Sequence, residues 1–189
     1  MNAHPIFQVL ARTLDVFEMV KVPCAVMGGF AVRHWGLPRP TYDVDFAVGV
    51  EGEALVRLLS AFDDAGFTVP TQFLTGFTDT LAGMRKVAVS CFESGTVWNV
   101  DIFLANTVFV RSALERRIAS RIEGHDVAVV SPEDLLHFKL LTNRAKDRAD
   151  VEDLLFVVGP LDLLYLLGWA PRLGVQALLE EVLRDAGRA

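Results

Sequence analysis

Cysteine is scarce in this sequence: Cys24 and Cys91 are the only two among 189 residues, and each sits inside an apolar, strand-like run. Neither a disulfide framework nor a zinc site can be assembled from them. Long hydrophobic runs are missing too, despite a mean hydropathy of +0.36. The best candidate, Leu154 to Trp169, is interrupted by Gly159, Pro160 and Asp162 and falls short of the roughly 20 apolar residues that cross a bilayer. Two buried helices are expected there, and no membrane association. Asp15 and Glu18 break the apolar stretch near the N-terminus with no small-residue cleavage site after it, so a secretory signal is not expected and the cytoplasm is the expected compartment. Positive charge is in deficit, with Lys+Arg 18 against Asp+Glu 24 and a formal net charge of -6, which excludes an all-over nucleic-acid coat. Only Arg111, Arg116, Arg117 and Arg121, set against Glu115, form a local basic excess. No internal repeat, low-complexity tract or Gly-x-Ser-x-Gly elbow is present.

What is present folds. Hydrophobic residues make up 52% and charged residues 22%, spread along the whole length, which excludes disorder and suits one compact domain or one with a small appendage. Pro5 followed by Ile6, Val9, Leu10, Leu14, Phe17 and Val20 predicts an amphipathic helix ending near Lys21. Cys24 to Met27 reads as a strand, Gly28-Gly29 as a turn, and Phe30 to Trp35 as a short helix stopped by Gly36 and Pro38. Asp43 to Val50 alternates as a strand and Glu51 to Phe67 has helical spacing. Lys86 to Phe92 and Val97 to Leu104 flank Glu93-Ser94-Gly95-Thr96 as a hairpin, and a second is expected around Glu123-Gly124, between Ile118 to Ile122 and Asp126 to Val130. Ser131-Pro132-Glu133-Asp134 is a helix start, with a serine N-cap, proline at the first position and acids in the positive first turn. All that follows is helical. The expected class is α+β, a mixed sheet flanked by helices over residues 1–130, with a helical part over 131–189 packed on it.

Two features carry chemistry. A strand that ends in Gly28-Gly29 and opens a helix leaves backbone N–H groups uncovered, which suits a phosphate; a tight packing turn is the bland alternative. Asp43 and Asp45 share one face of an apolar strand by the period of two, and like charges that close raise each other's pKa unless a counter-charge relieves them. A divalent metal removes the conflict, as would an arginine such as Arg39 in the bland reading. Asp101, amid Val100 and Ile102 on the second strand of the first hairpin, also needs a partner. If that strand lies beside Asp43 to Val50, three carboxylates converge as hard oxygen donors for Mg²⁺ in phosphoryl chemistry.

At these residues the sequence resembles the nucleotidyltransferase superfamily with the polymerase-beta-type fold. Its hallmark is a glycine turn, a short helix, an Asp-x-Asp strand and a third acid on a later strand; here Gly28-Gly29, Asp43, Asp45 and Asp101 match, across a spacer from Phe30 to Tyr42 at the long end of the pattern. Gly28 to Ala31 with Gly36, Arg39 and Thr41 is similar to toxin-related members of the abortive-infection type. Ser131 to Leu135 with Lys139, Arg144, Lys146-Asp147 and Asp150 resembles the lysine and Arg/Lys-Asp signatures of the same group. The resemblance implies transfer of a nucleoside monophosphate from an NTP to a hydroxyl, with two Mg²⁺ ions on Asp43, Asp45 and Asp101. It implies nucleotide contacts at Gly28, Gly29, Arg39, Thr41, Lys139, Lys146 and Asp147, a tRNA, protein or small-molecule acceptor, and an antitoxin as a possible partner. Read without it, Lys139 is a snorkelling lysine and the residues from Arg144 to Asp153 a solvated charged face. The competing function is a non-catalytic nucleotide-binding or interaction module of the same fold.

Overall fold

The computed structural model describes residues 4–188. Helix α1 (Pro5–Val20) buries Ile6, Val9, Leu10, Val16 and Phe17 and stops at Lys21, whose left-handed backbone turns its N–H onto the last carbonyls. Then follow β1 (Cys24–Met27), α2 (Gly28–Trp35), β2 (Asp43–Val48), α3 (Glu53–Asp64), the short α4 (Thr71–Leu74), β3 (Asp79–Leu81), β4 (Met84–Glu93) and β5 (Thr96–Leu104). The chain continues through α5 (Val108–Glu115), β6 (Ile118–Ile122), β7 (His125–Val129), α6 (Pro132–Thr142), α7 (Ala145–Val157), α8 (Leu163–Leu173) and α9 (Gln176–Asp185). The architecture is α+β, as expected, and both expected hairpins form.

The seven strands make one sheet in the order β3-β4-β5-β2-β1-β7-β6. β2 runs parallel to β5 and β1 parallel to β7, while the other neighbours are antiparallel. Alternation along β2 and β5 sends Val44, Phe46, Val48, Val100, Ile102 and Leu104, all buried, to one face. There Phe17 of α1 meets Phe46 edge-on at 4.9 Å and Phe62 of α3 at 5.6 Å. The opposite face carries the acids and is covered by the helical part. Among the described residues no helix is long and apolar enough to cross a membrane.

Helix α6 is buried on nearly every side, polar residues included, because α2, α7 and α8 all pack against it. Its N-terminus forms as the Ser131-Pro132 pattern requires: the Asp134 N–H donates to Ser131 Oγ at 3.2 Å. The Asp134 carboxylate, without solvent exposure, accepts from Ser131 Oγ at 2.8 Å and from the Tyr165 hydroxyl at 2.5 Å, with Arg116 Nε at 3.5 Å. The Arg116 guanidinium lies 3.7 Å from the centre of the Tyr165 ring. This network fastens α6 to α8 and to the end of α5. Asp134→Ala leaves two donors without their acceptor, and urea unfolding should register a loss of about 1–3 kcal/mol.

Candidate active site

The parallel register of β2 and β5 sets Asp45 directly opposite Asp101 and Asp43 opposite Asn99. Asp43, Asp45 and Asp101 therefore occupy one row on one face, the adjacency on which the assignment of the third acid depends. Burial pushes Asp45 up to about 7, and repulsion from Asp43 and then Asp101 adds to it, against the partial relief of Lys139 and the Gly29 N–H.

The glycine turn is shaped around these acids. Gly28 has φ +59, a left-handed conformation that starts α2 without strain only in glycine. A Cβ there would lie 1.9 Å from Asp45 Oδ2, so the carboxylate occupies the space a side chain would take. A Cβ on Gly29 would meet Thr41 Oγ1 at 2.4 Å, and the same hydroxyl donates to Asp43 Oδ1 at 3.1 Å. Thr41 thus packs under the turn and orients the first acid.

Lys86, which the sequence reading did not single out, belongs to this site. Its Nζ is 2.6 Å from Asp101 Oδ2, both side chains being about one-fifth exposed. β4 pairs Lys86 with Phe103 and Ala88 with Asp101, which puts the ammonium on the acid's own face. The signal was available: Glu93-Ser94-Gly95-Thr96 sets the hairpin register, and of the two cations in β4, Arg85 and Lys86, only Lys86 alternates onto the face of Asp101. As the side chains stand, no group of three His, Cys, Asp or Glu is gathered closely enough to hold a metal ion among the described residues.

Beneath the row lies a cluster of opposite charges. Arg39 grips Asp150 with two bonds, at 2.6 and 2.8 Å. Lys139, only 5% exposed, reaches Asp150 at 2.8 Å and Asp147 at 3.2 Å. Asp147 also accepts from Arg144 Nε at 2.6 Å, from Thr142 Oγ1 at 2.8 Å and from the Arg144 N–H at 3.2 Å. Lys139 is thus an internal ion-pair partner, and Asp147 a buried brace that caps α7. Arg144 and Lys146 are exposed at the rim of a narrow cleft of about 60 Å³ that Gly28, Gly29, Asp43, Asp45, Asp101, Arg39 and Lys139 also line. A much larger depression, about 1050 Å³ between α1 and the β6–β7 hairpin, gathers none of these residues.

Burial alone would raise Asp147, yet the hydrogen bonds from Arg144 and Thr142 and the charge of Lys139 outweigh it and hold the carboxyl well below the usual range. Asp150 is lowered likewise, its burial outweighed by the bonds from Arg39 and Lys139. Depressed carboxyls contribute stability above their unfolded pKa of about 4 and lose it as pH falls through the folded values. Melting temperature should therefore drop steeply between about pH 4 and pH 2, and Asp150→Asn should flatten that drop while lowering the melting temperature near neutrality. Gly28→Ala should cost about 1–2 kcal/mol from backbone conformation alone, read by urea unfolding, and the new methyl also displaces the Asp45 carboxylate.

The sequence matches no family description and no curated protein. Solved structures do resemble it. A nucleotidyltransferase-like antigenic protein from Paracoccidioides brasiliensis superposes with a TM-score of 0.53 at 19% identity, over 87% of this chain and 89% of that one. A candidate nucleotidyltransferase from Thermotoga maritima gives 0.52 at 14% identity, over 76% and 88%. ANT(2″)-Ia, solved with adenylyl-2″-tobramycin, gives 0.56 at 13% identity, over 92% and 96%. At such identities the likeness is one of architecture. The chain is built on the nucleotidyltransferase fold.

Proposed function

We propose that this protein transfers a nucleoside monophosphate from an NTP to a hydroxyl group. The observation that carries the reading is the row of Asp43, Asp45 and Asp101 on adjacent strands, set beside the glycine turn that opens α2 on this fold. The donor set fits a hard divalent cation: Asp45 is raised by burial and by repulsion from Asp43 and Asp101, both of which a bound cation would offset, and carboxylate oxygens are the ligands such ions take. Asp43 and Asp45 would hold Mg²⁺, with Asp101 joining them on leaving Lys86, and the bound ions would neutralise charge developing on the phosphates.

The chain's own groups account for the rest. The N-terminus of α2 at Gly28 and Gly29 would receive the β- and γ-phosphates, the Gly29 N–H turning to them once a cation takes over the Asp45 carboxylate that it now serves. Arg144 and Lys146 would meet them at the rim, since a nucleotide exceeds the narrow cleft and lies across its open edge. Asp101 takes the proton of the acceptor hydroxyl. The hydroxyl oxygen forms a bond to the α-phosphorus, the bond from that phosphorus to the bridging oxygen breaks, and pyrophosphate leaves with the electron pair. Lys86 is a positioning residue, holding the Asp101 carboxylate aimed until substrate arrives. Lys139, Arg39, Asp147 and Asp150 fix α6 and α7 under the site.

Asp101→Ala should keep detectable binding of Mg²⁺ and ATP in calorimetry while transfer from α-labelled ATP to a mixed pool of tRNA, protein and small hydroxyl compounds falls about 10²–10⁴-fold. Asp45→Asn should abolish transfer yet melt no lower than the metal-free wild type, because a mutually repelling charge is gone. Near-wild-type transfer by Asp101→Ala would overturn the assignment and favour a nucleotide-binding module without turnover.

A further inference from the structure

We infer that the acceptor is a hydroxyl compound with a planar apolar body and an acidic group, seated in a second cleft that opens beside the catalytic row. This rests on the nucleotidyl-transfer reading and narrows it to a substrate class. The cleft, about 490 Å³, lies between the β3–β4 turn, the start of α5, the end of α6 and α8. That volume suits a small molecule. Met84 lines both this cleft and the one above the acids, so its unbranched thioether is the partition between them, and a ligand against it faces Phe103 and, one step farther along the same face of β5, Asp101.

The lining states the chemistry. Trp169 presents a partly buried ring, backed by Phe109 at 5.3 Å and Tyr165 at 6.3 Å, with Leu141, Leu173 and the exposed Val108 beside it. That is an apolar wall for a flat ring. Arg172 is the one charged residue among those lining the cleft, its guanidinium 5.4 Å from the centre of the Trp169 ring. An arginine beside an aromatic face receives a carboxylate or similar anion. No acid lines this cleft, and the rim of the neighbouring one adds Arg144 and Lys146. A polyamine acceptor would find repulsion on both sides and no carboxylate outside the catalytic row.

Two probes test this by equilibrium dialysis without nucleotide: hydroxynaphthoate, which has the ring, the acid and the hydroxyl, and kanamycin, a polycation. Wild type should bind hydroxynaphthoate; Arg172→Glu, on an exposed side chain, should weaken it about tenfold or more, and Val108→Asp should weaken it as well. Kanamycin should not bind. With Mg²⁺ and α-labelled ATP, wild type should label hydroxynaphthoate. Failure to bind it, equal affinity in Arg172→Glu, or labelling of kanamycin instead would overturn the inference while leaving nucleotidyl transfer standing. Absence of any Mg²⁺-ATP binding, measured in parallel, would remove the transfer reading itself.

Discussion

Like charge held at close range is the constraint around which this protein is arranged. Parallel pairing of β2 with β5 fixes Asp45 against Asp101, and the alternation of β2 adds Asp43 to the same face. An isolated strand pair would relieve the repulsion by turning side chains into water. Here the helical part covers the face, so relief has to come from fixed groups: the Gly29 N–H and Lys139 near Asp45, Thr41 on Asp43, and Lys86 on Asp101. Each is polar and oriented, and together they only partly offset the burial of Asp45 and the repulsion from Asp43 and Asp101. On the proposed reading, a cation arriving with the phosphates it accompanies would supply the missing charge.

Charge is layered outward from the row. Immediately under it, Arg39, Lys139 and Arg144 are matched by Asp147 and Asp150, an assembly that ties the β2 approach, α6 and α7 into one block. Buried pairs of this kind seldom add net stability over apolar packing, because desolvation offsets their attraction. Their effect is geometric: the helices cannot slide over the acids without separating Lys139 from Asp147 and Asp150, charges that water does not reach. Farther out, the Asp134 network does the same at the other end of α6. Helix α6 is therefore pinned at both ends, and the cleft between it and the sheet keeps its width.

Local pattern was enough to read the elements that bear the chemistry. Period-two alternation placed Asp43 and Asp45 together, and the Ser131-Pro132 start marked α6 to the residue. The helix after the glycines begins at Gly28 itself instead of Phe30, because the positive φ of Gly28 already belongs to the turn into α2. Elements that hold no periodic signal were not anticipated: β3 is three residues long and α4 four, and α5 was hidden behind the arginines that follow it. The meaning of Lys139 could not be read locally either. Its helix shows a cation among leucines, and only the arrival of Asp147 and Asp150 from α7 turns that cation inward. Lys86 needed one inference more, the register of a hairpin whose turn was already recognised.

Gly28 and Asp45 share a volume: the place a Cβ would occupy on the first is filled by the carboxylate of the second. Gly29 and Thr41 stand in the same relation. Residues that divide one space cannot vary independently, so along a lineage of this chain these positions would drift as pairs or not at all. A side chain at residue 28 would have to displace the carboxylate of residue 45 as well as accept a left-handed backbone, and a residue 45 shortened to make room no longer carries its charge. The steric fit of a turn thereby protects an acid from mutation, through a route that selection on catalysis alone would not supply.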